Sequence, residues 1–264
     1  MLSTRQAACR QQGRELLAPC DLQFTPGKVH AILGPNGAGK STLLRLLSGE
    51  WPCSSGSVSL SGRELRDWPL PALARQRAVL PQMHALSFPF TAREVVRLGR
   101  LHAARRSQDE AVLDAALAVC GVSPLQQRLY TQLSGGERAR VQLARTLAQI
   151  WDADPATDRY LLLDEPTAHL DLAYQHACLR LARDWAARGV GVIVVLHDPN
   201  LVLSYADCAC LLHQGRVQAC GQPREVITPA RMRQVFGLDT ELQQGADGRI
   251  WLAVNPQPLV PAPR

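Results

Sequence analysis

The stretch Val29–Leu47, VHAILGPNGAGKSTLLRLL, decides how the rest of the chain is read. Val29, Ala31, Ile32 and Leu33 form a short apolar run of the kind that makes a buried strand, and Thr42 to Leu47 place leucines at helical spacing. Between the two lies the pattern G-x-x-x-x-G-K-[ST]: Gly34, then Pro35, Asn36, Gly37 and Ala38, then Gly39, Lys40 and Ser41. Gly34, Gly37 and Gly39 permit backbone angles that a side chain forbids, so successive N–H groups can turn inward. With the N-terminus of the following helix, those donors cradle phosphate oxygens. Lys40 would reach the β- and γ-phosphates as a point charge, the Ser41 hydroxyl would ligate Mg²⁺, and Thr42 completes the nucleotide-binding run. Strand, glycine loop and helix in that order predict a nucleoside-triphosphate site rather than a plain strand-to-helix turn.

The chain has 264 residues, room for one large α/β domain or two small ones. No apolar run approaches the roughly 18 residues that suggest a membrane span. The N-terminal MLSTRQAACRQQGREL lacks the apolar core of a signal peptide, so the expected place is the cytosol or a membrane surface reached through another protein. The formal net charge is +6, but the arginines are spread along the chain with no basic block and no stacking aromatic platform. No nucleic-acid partner is expected, and a weak preference for an anionic membrane face fits the charge equally well. The eight cysteines include no C-x-x-C pair, so they read mostly as small buried hydrophobes. Cys208 and Cys210 flank a single residue within an apolar, strand-like run.

In chain order, residues 15–26 read as an early strand region ended by a turn at Pro26-Gly27. Ser57 to Leu60 alternate polar and apolar as a half-exposed strand does, and Val79-Leu80 lead into Pro81 and Gln82. From Phe88 the character turns helical. Thr91 is an N-cap with Glu94 at the capping-box position, and Asp109 opens a helix that Gly121 stops. This helical stretch closes with Leu133-Ser134-Gly135-Gly136-Glu137 and a helix predicted over Arg138–Gln149. Tyr160–Leu163 before Asp164-Glu165, and Val190–Leu196 before His197-Asp198, are apolar on every face, as central parallel strands are. Asp171 caps the helix between them, and Asp198-Pro199 starts another. Leu211–Cys220 predicts a hairpin about Gln214-Gly215, and the tail from Pro256 is too proline-rich to pack.

A strand ending in two carboxylates downstream of a phosphate loop has a chemical reading. Asp164 would hold Mg²⁺ through water, and Glu165 would orient the attacking water or accept its proton. LSGGE adds two glycines after a serine at a helix N-terminus, a second phosphate-binding surface in one chain. One ATP does not need two such surfaces from one chain, but two chains arranged head to tail do. In these combined motifs the sequence resembles the ATP-binding-cassette ATPases over about residues 15–225. The resemblance implies a P-loop α/β core with an antiparallel β subdomain and an inserted helical subdomain at about 85–150, one domain over 1–255 and a disordered tail at 256–264. It implies catalytic roles for Glu165, His197 and Lys40, and a Mg²⁺ site at Ser41, Gln82 and Asp164. Gln82 would also couple to a transmembrane partner, and Ser134, Gly135, Gly136 and Glu137 would contact the γ-phosphate of the opposite subunit.

The stretch Pro81–Arg100, PQMHALSFPFTAREVVRLGR, resembles importers of iron chelates, haem and cobalamin; with Leu143–Trp151 and Gln175–Arg183 it is most similar to haemin-importer ATP-binding subunits. That implies an ATP- and Mg²⁺-dependent homodimer, peripheral on the cytoplasmic face of the inner membrane. Its partners would be two permease subunits and, through them, a periplasmic haemin-binding protein. The same role for a ferric siderophore or cobalamin is the alternative, and a DNA-handling ATPase of the same superfamily lacks its expected coiled-coil or C-x-x-C insertion here. Three departures stand out. Cys9 occupies the place of the aromatic residue that stacks on adenine. Ala168-His169 replaces Ser-Ala in the loop ending at Leu170-Asp171, and Pro199 follows His197-Asp198 where leucine is usual. Asp152–Arg159 is a polar insertion without an assigned role.

Overall fold

Strand β4 (Val29–Leu33) lies at the centre of the sheet that carries the site, and its five residues are all buried. The computed structural model describes residues 1–82, 88–101, 109–152, 157–168 and 170–255. Beside β4 lie β9 (Val190–Leu196), β8 (Arg159–Leu163) and β7 (Arg77–Leu80) on one side, and β10 (Cys208–His213) and β11 (Arg216–Gly221) on the other. All pairings are parallel except β10–β11. The central strands β4, β8 and β9 are buried along their whole length, and mostly apolar, because both their faces are covered. Val29, Ala31, Leu33, Val192 and Val194 face one core, and Ile32, Leu162, Ile193 and Val195 face the other.

The second core is closed by helix α1 (Lys40–Ser48) and an antiparallel sheet. That sheet contains β1 (Leu2–Gln11), β2 (Arg14–Cys20), β3 (Gln23–Phe24), β5 (Ser55–Leu60) and β6 (Arg63–Glu64), with β1 between β2 and β5. The sequence placed the first strand region at residue 15, so β1 is a correction. Its burial pattern does not alternate cleanly, because a bulge between Arg5 and Ala8, opposite β5, interrupts the period of two. Tyr160 ties the two sheets together. Its ring is fully buried, the backbone N–H of Leu2 donates to its hydroxyl at 2.8 Å, and that hydroxyl donates to the Phe24 carbonyl at 2.7 Å. Gly191 on the neighbouring strand makes room for it, since a Cβ there would lie 2.3 Å from the ring.

After α2 (Leu70–Gln76) and β7 come α3 (Ala92–Arg97), α4 (Asp109–Val119) and α5 (Gly135–Gln149), which pack on one another. The Thr91–Glu94 capping box is formed as expected. Helix α5 starts at Gly135, three residues before the predicted Arg138, because Ser134 and Glu137 form a second capping box that draws both glycines into the first turn. Arg100 joins this lobe at its base, donating to Asp109 at 2.9 Å, to the Ala148 carbonyl at 3.0 Å and to Asp152.

Helices α6 (Leu172–Ala187) and α7 (Pro199–Tyr205) flank β9, capped by Asp171 and Asp198. The chain then adds α8 (Pro223–Val226), α9 (Pro229–Phe236) and a hairpin of β12 (Thr240–Gln244) and β13 (Ile250–Val254) that the sequence did not reveal. Asn200 holds that hairpin by exchanging two hydrogen bonds with the backbone of Leu252, at 2.7 and 3.1 Å. Residues 83–87, 102–108, 153–156, 169 and 256–264 lie outside the described residues, so the expectations for His169, the proline-rich tail and half of the polar insertion do too. Among the described residues no helix is long and apolar enough to cross a membrane.

Candidate active site

The C-terminal end of β4 runs straight into the glycine loop, and backbone contact explains the residue types there. A Cβ on Gly34 would lie 2.3 Å from the carbonyl oxygen of Leu212, so only glycine fits. Gly39 has φ +99° and precedes α1 without a side-chain cap, leaving the N–H groups of the first turn free of local acceptors. The hairpin turn between β10 and β11 supports the loop from beneath: the Gly215 N–H donates to the Ala38 carbonyl at 3.0 Å, and Ala18 of β2 donates to the Gly215 carbonyl at 2.7 Å.

A cavity of about 570 Å³ opens above this loop. Asn36, Gly37, Ala38, Gly39, Lys40, Ser41 and Thr42 line it, as do Gln82 and Glu165. The ammonium of Lys40 is nearly buried and donates to the carbonyls of Gly34 and Pro35, at 2.8 and 3.0 Å. Burial lowers its pKa, and the carboxylates of Glu165 and Asp164 oppose that shift. Asp164, at the end of β8, accepts from the Ser41 hydroxyl at 3.3 Å and is only 6 % exposed. Burial raises its pKa, partly offset by the Ser41 hydrogen bond.

Glu165 is the focus of the site. Its backbone lies in the left-handed region at φ +51°, which a non-glycine residue adopts at a cost of about 1–2 kcal/mol. This conformation turns the side chain from the end of β8 toward two donors on separate elements. Gln82, after β7, donates to one carboxylate oxygen at 2.7 Å, and Nε2 of His197, after β9, lies 2.6 Å from the other. Three neighbouring strand ends thus deliver one carboxylate with both oxygens engaged.

Ser134, Gly135, Gly136 and Glu137 are not part of this cluster. Ser134 and Gly135 are exposed at the tip of α5, Gly135 faces open space, and none of the four lines the cavity. Glu137 is committed to the cap, accepting from the Ser134 N–H at 2.8 Å. Cys9 is likewise not at the cavity. Its side chain is 2 % exposed and packs in the apolar core under α1, where the bulge of β1 between Arg5 and Ala8 turns it inward, so it cannot meet a purine. Arg14, Glu15 and Leu16 of β2, with Gln214 and Gly215, border the cavity instead. The sequence reading missed these five; the hairpin turn predicted at Gln214-Gly215 was the one signal that could have found part of that wall.

The chemistry of this arrangement is that of phosphoryl transfer to water. It offers a backbone cradle, a lysine, an oxygen-rich cation position and a carboxylate held to face a nucleophile. The fold and the cluster define an ATPase of the ATP-binding-cassette class, and the chain belongs to the ABC transporter family, whose sequence profile matches residues 17–168. It is 50 % identical over 243 residues to the hemin import ATP-binding protein HmuV of Gloeobacter violaceus, covering 91 % of this chain and 88 % of that one. It is 46 % identical over 245 residues to the protein of the same name from Pseudomonas aeruginosa, covering 92 % and 95 %. Among solved structures, a chain described as belonging to a metal-chelate type ABC transporter in an inward-facing conformation superposes with a TM-score of 0.78 at 27 % identity, covering 98 % of each chain. An ATP-binding subunit of an ABC transporter superposes with a TM-score of 0.76 at 25 % identity, over 90 % and 93 %.

Proposed function

We propose that this chain hydrolyses ATP as a head-to-tail homodimer and so drives haemin import through two permease subunits. It would sit peripherally on the cytoplasmic face of the inner membrane, with haemin handed to the permease by a periplasmic binding protein. The observation that carries the catalytic part is the Glu165 carboxylate, held by Gln82 and His197 at the mouth of the phosphate cradle. The cargo rests on the relatives, two of which share close to half of their residues with this chain and are named for hemin import.

In this reading the loop N–H groups and the free first turn of α1 bind the phosphates, and Lys40 exchanges the Gly34 and Pro35 carbonyls for phosphate oxygens. Mg²⁺, which the all-oxygen donors Ser41 Oγ, Gln82 and Asp164 suit, would neutralise phosphate charge when bound. The fit is supported by Asp164 itself, a buried carboxylate whose raised pKa reflects a charge without full compensation. Glu165 orients water toward the γ-phosphate, and His197 holds that carboxylate in place. Arg14 and Leu16 take the position beside the base that an aromatic residue would otherwise fill. Ser134 with Gly135 and Gly136 closes the site of the opposite subunit, the exposure of Ser134 and Gly135 leaving this tip free to do so.

The test is reconstitution of the chain with its co-purifying permease in liposomes. ATP hydrolysis should be stimulated by a binding protein loaded with haemin, and haemin should accumulate on the far side. Stimulation by a ferric siderophore or cobalamin instead would replace the cargo, and hydrolysis indifferent to any chelate would sink the importer reading.

A further inference from the structure

Cys210 on β10 and Cys220 on β11 are directly opposed across an antiparallel pair. Opposed residues project from the same face, with Cα atoms about 4.5–5.5 Å apart. Disulfide-bonded cysteines span about 4.4–6.8 Å, so this register needs no strand movement to join them. Both are free thiols in different surroundings: Cys210 is buried among Ile32 and Leu212, whereas Cys220 lies exposed on the edge strand. The interaction of the Cys210 thiol with the Cys220 sulfur brings the Cys220 pKa down from 9.0 to about 7, against an opposing effect of burial. The same interaction, with burial, holds the Cys210 thiol well above the ordinary range. One sulfur is therefore an accessible nucleophile and the other retains a proton beside it. Cys120 and Cys178, by contrast, are buried with both pKa values pushed up, the condition of an inert thiol.

We propose that Cys210 and Cys220 are a modification site for peroxides, a reactive dithiol that closes reversibly into a cross-strand disulfide between β10 and β11. The Cys220 thiolate attacks one oxygen of hydrogen peroxide, the O–O bond breaks, and the departing hydroxide takes a proton to leave as water. Cys220 is then a sulfenic acid. The sulfur of Cys210 attacks the Cys220 sulfur, the S–S bond forms, and hydroxide leaves with the Cys210 proton as a second water. Two thiols are oxidised and one peroxide is reduced, so electrons and atoms balance. The pair lies in the hairpin whose turn holds Ala38 of the phosphate loop, yet neither cysteine lines the nucleotide cavity. The site therefore stands independently of the transport reading.

The experiment uses the reduced full chain beside Cys220→Ser and Cys210→Ala. After one equivalent of hydrogen peroxide, peptide mapping should show a linked Cys210–Cys220 pair and an intact mass lower by two hydrogens. Dithiothreitol should reverse this, and neither variant should form the link. Alkylation by iodoacetamide at pH 7 provides a second measurement that does not require disulfide formation. A pKa near 7 raises the thiolate fraction about 50-fold while lower basicity removes most of that gain, so Cys220 should react about fivefold faster than in Cys210→Ala. A disulfide through any other pair, oxidation that stops at sulfenic acid on Cys220, or equal alkylation rates would each overturn the proposal.

Discussion

Nε2 of His197 lies 2.6 Å from one carboxylate oxygen of Glu165, while Gln82 holds the other at 2.7 Å. The two donors come from loops after β9 and β7, on either side of the strand that carries Glu165. Position, rather than burial alone, fixes this carboxylate. Replacing it by an amide keeps the shape and both neighbours but removes the basic oxygen. Glu165→Gln should therefore bind ATP with unchanged affinity and hydrolyse it about 10² to 10⁴ times more slowly. Nucleotide titration and phosphate release from the purified variant measure the two halves, and near-normal turnover would move the catalytic role to His197.

Lys40→Ala removes the one buried ammonium of the phosphate loop. A charge-assisted contact to phosphate disappears, so the expected loss is in binding, of about 1.5–3 kcal/mol or roughly 10- to 150-fold in Kd. Titration with a fluorescent ATP analogue decides this. Equal affinity in the presence of Mg²⁺ would contradict the cradle as described.

The exposed Ser134 predicts the assembly. With Glu165→Gln and Mg-ATP, sedimentation should show a dimer, because nucleotide then bridges two chains and stabilises their closed pair. Adding Ser134→Arg should abolish it, since the longer side chain fills the space that the partner's γ-phosphate needs. If the double variant pairs as well as the single one, the tip of α5 does not face the partner's nucleotide.

Asp164 gives a pH dependence with a definite sign. Burial raises its folded-state pKa above 3.8, so the folded chain binds this proton more tightly than the unfolded chain does. Below 3.8 the group is neutral in both states; above the raised value it is ionised in both, and only the fold bears the desolvation. Its contribution thus lowers stability as pH rises through that window. Asp164→Asn should raise Tm at neutral pH, with the advantage shrinking as pH falls toward the window. Hydrolysis should drop about 10- to 100-fold, as for loss of an outer-sphere partner of a metal. Calorimetry of both proteins across pH checks the sign, and a lower Tm at neutral pH would refute it.

Tyr160→Phe tests the seam between the sheets. The change leaves the Leu2 N–H and the Phe24 carbonyl without their buried partner, an expected cost of about 1–3 kcal/mol. Urea unfolding should show that loss with ATP affinity unchanged, because the hydroxyl lies away from the cavity.

The sequence by itself determined the phosphate loop, the carboxylate pair after β8, the histidine after β9 and the caps at Thr91, Asp171 and Asp198. Each is a local statement: a spacing, a short apolar run or a cap is complete within a few residues and owes little to distant contacts. Only the tertiary structure decided that Gln82, Glu165 and His197 form one cluster, because strand order is set by which apolar faces pack, and that order is not written in any one strand. It also decided against Cys9 as a neighbour of the base. One bulge in β1, between Arg5 and Ala8, reverses which side chains face the core, and a bulge has no sequence period to announce it. The hairpin at 240–254 stayed hidden for a related reason: β12 is mostly polar and β13 is apolar without alternation, and what holds the pair in place is distant in sequence, the core packing of Leu242 and Leu252 and the hydrogen bonds of Asn200 on α7.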